Sequence, residues 1–220
     1  SRLTKEIFVS AKKGTDPNSN SRLRQAILAA RAVNVPNSNI ERAIKKASGE
    51  EGGANYEDIT YEGYALGGVA VLVECLTDNR NRTAGEVRAT FEKANGNLAG
   101  AGAVSWMFKK RAHFTVTGEN ANEDKLMEIV LDAGAEDIEC EGGIAYIYGP
   151  PDKYETISKA LSDAGITTDE SGVTQVPDNY SEVKDASTAK QVVSLLEKLE
   201  ELEDVQAVYS NFDAPQAILE

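Results

Sequence analysis

Histidine, cysteine, methionine and tryptophan are nearly absent from the sequence. Its 220 residues carry one His, two Cys, two Met and one Trp. The lone histidine, His113, has no second His, Cys or clustered carboxylate at ligand spacing, so no metal and no other cofactor is expected. Cys75 lies in an apolar run and Cys140 in Ile138-Glu139-Cys140-Glu141, with no CxxC. Both read as free thiols, buried or half-buried, in a reducing compartment, which points to a cytoplasmic location. No apolar run approaches the roughly 20 residues of a membrane span, and no signal-peptide pattern opens the chain, so no membrane partner is expected. No glycine-rich loop opening a helix offers a phosphate cradle, and no nucleophile–base pair stands out; the reading is a non-enzyme with no small-molecule substrate. The chain opens on Ser1 rather than Met, so the natural N-terminus is expected upstream.

Charge is abundant and segregated. The formal net charge is −13. Residues 1–48 hold ten Lys/Arg against three Asp/Glu, residues 49–112 seven against nine, and residues 113–220 six against twenty-four. A basic head on an acidic body is the arrangement expected of a protein that lays one end against a polyanion.

The most ordered signal is Val69-Ala70-Val71-Leu72-Val73-Glu74-Cys75-Leu76, a strand apolar on both faces. It breaks into Thr77-Asp78-Asn79-Arg80-Asn81-Arg82-Thr83, and Glu86, Val87, Phe91 and Ala94 then recur at helical spacing. Thr83 or Thr77 is expected to cap that helix, delivering Arg80 and Arg82 to its start, where backbone N–H groups favour an anion. The competing reading pairs both arginines with Asp78, Glu74 or Glu86 and makes the turn purely structural.

Upstream, the spacing predicts helices over 3–13, from Asn20 or Ser21 to about Val33, and from Ser38, where Ser38 and Glu41 form a capping box. Their inward stripes leave Lys12, Lys13, Arg22, Arg24, Arg31, Arg42, Lys45 and Lys46 largely outside. Ser48-Gly49-Glu50-Glu51-Gly52-Gly53-Ala54 reads as a linker. Downstream, Val104, Trp106 and Phe108 alternate on a strand with Trp106 in the core. Lys109-Lys110-Arg111 follows as a binding edge or as charge that discourages strand pairing. Residues 112–176 read β-α-β-β-α-β, the ferredoxin-like order. The helix from Ser187 and the strand at 205–209 would supply what the middle segment lacks, so 113–177 reads as an insertion and the segment after Phe212 as a frayed tail. The expected architecture is α+β: a basic helical domain (1–52), a discontinuous α/β domain (53–112 plus 178–220), and an inserted acidic ferredoxin-like domain (113–177).

Ser38-Asn39-Ile40-Glu41-Arg42-Ala43-Ile44-Lys45-Lys46, Tyr61-Glu62-Gly63-Tyr64, Gly67-Gly68-Val69-Ala70-Val71 and the long run from Glu74 to Thr83 together resemble the YebC/PmpR family. The likeness extends from Leu3 to about Asp213. It implies a three-domain fold, an N-terminal helical domain followed by two ferredoxin-like α/β domains, the second inserted in the first. It also implies a regulator of gene expression. Bacterial members are described as DNA-binding transcriptional regulators, and others, including the mitochondrial translational activator of cytochrome oxidase subunit one, act on translation at the ribosome. Members usually carry a further basic segment upstream, beginning near Gly-His-Ser-Lys-Trp.

The leading expectation is therefore nucleic-acid binding, to DNA or ribosomal RNA and through the latter to the ribosome. The contacts expected are Lys12, Lys13, Arg22, Arg24, Arg31, Arg42, Lys45 and Lys46 of the head, with Arg80 and Arg82 of the turn. Backbone contact with little base reading fits a head whose only aromatic residue is Phe8. Two alternatives stand beside it. One is an acylphosphatase-like enzyme using Arg80 or Arg82 to hold a phosphoryl group and an Asn to orient water. The other is an acidic interaction scaffold centred on Glu136, Asp137, Glu139 and Glu141. Oligomeric state is left open.

Overall fold

The apolar run becomes the second strand of a four-stranded antiparallel sheet in the computed structural model, which describes residues 2–49 and 55–219. The fold is α+β and divides into two compact units. A split unit comprises the chain up to Ser105 and again from Ser181, and a continuous unit comprises Trp106–Tyr180. From Glu50 to Ala54 the expected linker lies outside the described residues.

The split unit begins with helices α1 (Arg2–Ala11), α2 (Ser21–Ala32) and α3 (Asn37–Ser48). Ile7, Ala11, Leu23, Ala26, Ile27, Ala30 and Ile40 form their shared core. Asn20 caps α2 by accepting the Leu23 N–H at 3.1 Å. The capping box expected at Ser38 and Glu41 does not form. Pro36 takes the N-cap place with no side-chain bond and α3 starts at Asn37, because the fixed φ of proline already aims the chain into a helix.

Three helices of 10–12 residues are marginal alone. The head is braced onto the sheet: Arg2 Nη2 donates to the Leu202 carbonyl at 3.3 Å, and Gln206 Nε2 donates to the Arg2 carbonyl at 3.2 Å. Arg22 bridges Glu6 of α1 and Asp58 of the first strand, with N–O distances of 2.7 and 3.1 Å.

That sheet contains β1 (Glu57–Ala65), β2 (Val69–Thr77), β3 (Asn97–Ala99) and the later β9 (Val205–Ser210), in the order β3-β1-β2-β9. Helices α4 (Arg80–Lys93) and α7 (Ala186–Glu201) cover one face. Val71, Val73 and Cys75 meet Val87, Phe91, Leu195 and Leu199 there. Burial pushes the Cys75 thiol up to about 12, so it stays protonated and inert.

Two residues of Tyr61-Glu62-Gly63-Tyr64 do specific structural work. A Cβ on Gly63 would lie 2.7 Å from the Phe91 ring and 2.7 Å from the Asn97 carbonyl, so only glycine admits the buried ring and β3 together. Glu62, 5% exposed, accepts the N–H groups of Gly102, Val104 and Ser105 at 2.6, 2.9 and 2.6 Å. Burial alone would raise its pKa; the three backbone donors outweigh that and hold it below the ordinary carboxylate value. These bonds engage the N–H groups that a strand at 103–108 would need. A helical turn at Ser105–Met107 stands there instead, and Trp106 is 70% exposed rather than in the core.

The continuous unit runs β4 (Phe108–Thr117), α5 (Glu123–Val130), β5 (Asp137–Glu141), β6 (Ile144–Gly149), α6 (Tyr154–Asp163) and β7 (Glu170–Pro177). Its all-antiparallel sheet has the order β5-β6-β4-β7, the ferredoxin-like arrangement. Ala112, Phe114, Val116, Ala145 and Ile147 pack against Leu126, Val130, Ile157 and Leu161 of the two helices. Cys140, expected at least half-buried, is exposed on edge strand β5. The segment after Phe212 is tied down rather than frayed. β10 (Phe212–Asp213) pairs in parallel with β8 (Ser181–Glu182), and Ala214 and Ile218 pack on the core.

Two glycines should respond oppositely to alanine. Gly63→Ala is expected to lower stability by about 1–3 kcal/mol through overpacking. Gly85→Ala, inside α4 with nothing within 4 Å of the new methyl, should raise it by about 0.5–1 kcal/mol. Urea unfolding of the two variants checks both signs.

Candidate nucleic-acid interface

The polar turn between β2 and α4 is built from the strand outward. Asn79, rather than Thr77 or Thr83, is the N-cap, its side chain accepting the Arg82 N–H at 3.1 Å. Thr83 is inside the helix and buried, its hydroxyl 2.7 Å from that of Thr77 and 2.8 Å from the Asp204 carboxylate. Thr77 in turn accepts the Asn79 N–H at 2.9 Å. The threonines are thus committed to joining strand and helix.

Arg82 turns back into this knot. Its Nε and Nη2 donate to the two Asp204 oxygens at 3.1 and 2.8 Å, and Nη2 also reaches Asp78 at 2.9 Å. Lys5 of α1 approaches Asp204 at 3.8 Å. Asp204 is 3% exposed. Burial by itself would push its carboxyl up, yet the hydrogen bonds from Arg82 and Thr83 and the charges of Arg82 and Lys5 hold it below the usual carboxylate range. Arg80 points elsewhere, half-way out, with Nε 3.5 Å from Glu57. The two guanidiniums therefore do not converge on a common anion: Arg82 is held by Asp204 and Asp78, and Arg80 by Glu57.

From this knot a row of cations and rings leads into the head. Lys5 Nζ lies 4.8 Å from the Tyr56 ring centre, and Tyr56 meets the Phe8 ring edge-on at 6.1 Å. Lys12 Nζ lies 4.8 Å, and Lys46 Nζ 5.8 Å, from the Phe8 ring centre. Two cations far apart in sequence, Lys12 just past α1 and Lys46 on α3, therefore each approach the Phe8 ring. Lys13, Arg31, Arg42 and Lys45 are exposed on the same helical head. Lys45 and Lys46 also sit in the last turn of α3 and Arg31 in that of α2, where the helix dipole favours cations in any case.

Of the ten candidate contacts, Arg22, Arg24 and Arg82 make side-chain hydrogen bonds within the fold. Arg22 is the Glu6–Asp58 brace, and its carboxylate partners raise its pKa further. Arg24 Nη1 donates to the Pro17 carbonyl at 2.6 Å, closing the loop before α2. Arg82 belongs to Asp204. Lys5, Tyr56 and Asp204 were not readable as site residues, since each matters only through partners distant in the chain.

The head and the body are each matched by a known family profile. One described as "TACO1/YebC protein N-terminal domain" covers residues 1–50, and one described as "TACO1/YebC second and third domain" covers residues 56–212. The chain belongs to the TACO1/YebC family. Among curated YebC relatives, proteins named "Probable transcriptional regulatory protein" from Treponema pallidum (strain Nichols) and Methylacidiphilum infernorum are 49% and 48% identical to it. The alignments cover 99% and 100% of this chain and 89% of each relative. The crystal structure of a conserved hypothetical protein from Aquifex aeolicus superposes with a TM-score of 0.87 at 41% identity, covering 100% of this chain and 90% of that one. Among the described residues no helix is long and apolar enough to cross a membrane.

Because the Asp204 carboxyl has a lower pKa folded than unfolded, its stabilisation is complete above the unfolded value near 4 and is lost as pH falls through the folded one. Asp204→Asn should lower the melting temperature by roughly 3–8 °C at pH 7. The deficit should begin to shrink as pH falls below the unfolded value of about 4 and be lost once pH has passed the lowered folded value, where the native carboxyl is protonated too. Thermal melts between pH 3 and 7 read both effects.

Proposed function

We propose that this YebC-family chain is a non-enzymatic, nucleic-acid-binding regulator of gene expression whose helical head lies along the phosphate backbone. The observation carrying this reading is the approach of both Lys12 and Lys46 to the Phe8 ring in a helical head that also exposes Lys13, Arg42 and Lys45. Gathering cations costs Coulomb energy in the isolated protein and is offset when a polyanion takes the place of their counterions. The transcriptional names of the relatives fit such a ligand. Arg31 adds an exposed cation on α2, and Arg80 at the turn, paired only at 3.5 Å with Glu57, can be drawn to a stronger anion, while Arg22, Arg24 and Arg82 hold the head in shape.

Backbone contact implies steep salt dependence and modest sequence preference. The acidic body, with six Lys/Arg against twenty-four Asp/Glu in residues 113–220, repels the same polyanion and orients the head toward it. DNA and ribosomal RNA present the same charge to this surface. Transcriptional and ribosome-linked translational roles are separated by where the full-length protein sediments: with ribosomes in a sucrose gradient for the second, away from them with promoter DNA retained for the first.

The triple variant Arg42→Glu, Lys45→Glu and Lys46→Glu should weaken binding to duplex DNA or structured RNA at every salt concentration. It should flatten the slope of log K against log salt by roughly 2–3. Fluorescence anisotropy across a KCl series measures both; an unchanged affinity at low salt removes the head from the interface.

A further inference from the structure

The continuous unit carries a surface that the head does not explain. Its helices cover one sheet face, and strand alternation places Lys109, Arg111, His113 and Thr115 of β4 and Tyr146 and Tyr148 of β6 on the other. These are the two central strands of the sheet. His113 stands directly opposite Tyr148 in the ladder, and Thr115 opposite Tyr146. The Arg111 guanidinium lies 4.8 Å from the centre of the Tyr148 ring. On the other side of His113 the partner position is Gly172, where an added Cβ would meet nothing within 4 Å, so the sheet surface beside the imidazole is open. Tyr146 and Tyr148, two residues apart, are separated by about 7 Å along the strand.

A cleft adjoins this surface. The ladder to β6 begins only at Ala112, because β6 ends at Gly149 and Pro150-Pro151 turn the chain away; Lys109, Lys110 and Arg111 extend past that end, paired with β7 alone. The resulting cleft measures about 510 Å³, is lined by those three cations together with Glu136 and Asp178, and has proline walls at Pro150, Pro151 and Pro177. Half of the six Lys/Arg between residues 106 and 180, a stretch with fifteen Asp/Glu, are gathered at this one place. Its carboxylates hold them loosely: Lys109–Asp178 is 3.9 Å and Arg111–Glu136 is 3.8 Å, long pairs with exposed carboxylates that a doubly charged anion can displace. Proline walls need little ordering when a ligand binds.

Flat rings on the central strands of an antiparallel ferredoxin-like sheet, beside a basic edge, are the elements with which such sheets stack unpaired bases. The hairpin into β6, Gly143-Ile144-Ala145-Tyr146-Ile147, places glycine, a small residue, an aromatic and an aliphatic in the order common there, with Ile144 where a further ring is usual. Asp137, Glu139 and Glu141 of β5 line one side and Glu170 of β7 stands opposite Thr115, so a phosphate chain must keep to the Lys109–His113 end of the β4–β7 half.

We propose that this open face binds single-stranded nucleic acid. One base stacks on Tyr146 and a second on the Tyr148, His113 and Arg111 group, while a phosphate occupies the cleft of Lys109, Lys110 and Arg111. The site rests on the reading of the chain as a nucleic-acid binder and adds to it a preference for unpaired strands.

The test is anisotropy of the full chain with fluorescein-labelled RNA and DNA decamers, a 20-base-pair duplex, and unlabelled polyphosphate as competitor. Tyr146→Ala with Tyr148→Ala should weaken decamer binding about ten-fold or more and leave duplex binding unchanged; Tyr146→Phe with Tyr148→Phe should stay within two-fold of the native protein. Lys109→Gln with Lys110→Gln, both exposed and harmless to the core, should weaken decamer binding even if the alanine pair fails to fold. The RNA-to-DNA ratio reports which strand the site prefers. Decamer affinity unchanged by the alanine and glutamine pairs, while the head triple variant still weakens duplex binding, overturns this site and leaves the head reading intact. If neither set matters, the nucleic-acid reading itself fails. Polyphosphate displacing the decamer equally from the native and alanine-pair proteins, with no stacking loss, reduces the cleft to a simple anion site and overturns the proposal.

Discussion

A desolvated carboxylate cannot stay charged without partners, and Asp204 is the place where the split unit depends on that rule. Its partners are Lys5 from α1, Arg82 and Thr83 from α4, and the donors that they bring with them. Three pieces of chain spread over nearly two hundred residues are thereby fixed to one another. The hydroxyls of Thr77 and Thr83 pass the constraint back into β2 and the Asn79 cap. A run that reads as an anion-binding turn has its two threonines buried in a joint, and of its two exposed arginines Arg82 is committed to Asp204 and Asp78 while Arg80 meets only Glu57 at 3.5 Å.

Much of the architecture was legible because its signals are local. The buried run became β2, the helical stripes became α1 to α3 and α7, and the βαββαβ order of the second half became a sheet with the connectivity that the order implies. What escaped is long-range. Thr83 is a better cap by propensity than many residues, yet its hydroxyl is taken by Asp204, 121 positions away, so Asn79 caps. Glu62 takes the backbone donors of residues 102–105, so the alternation around Trp106 makes no strand there. Ser38 and Glu41 satisfy the capping pattern, but Pro36 had already set the chain direction. Charge was the most visible property and the least informative about detail. Arg22 and Arg42 look alike in the sequence, and only the fold shows that the first is clamped between Glu6 and Asp58.

Charge segregation and the two separate cores belong together. The head and its sheet share one unit, while the acidic ferredoxin-like unit has its own hydrophobic cluster and its own helices. Negative charge can therefore accumulate on the second without weakening the packing of the first. Within that acidic unit the three cations at Lys109–Arg111 stand out against their background. In the head, by contrast, each cation is one of many and the surface works as an ensemble.

The order of the chain has a further consequence for how the protein is made. β2, its most apolar strand, is paired on one side by β1, only a short turn away, but on the other by β9, which lies in the last sixteen residues. During vectorial synthesis that edge stays unpaired, and Lys5 and Arg82 wait for Asp204, until the whole continuous unit and α7 have been translated. The continuous unit, whose strands are all contiguous, can meanwhile fold first. An open, hydrophobic edge held while so long a stretch is made is the hazard that strand-rich proteins manage with charge or with helpers, and here it is closed by β9.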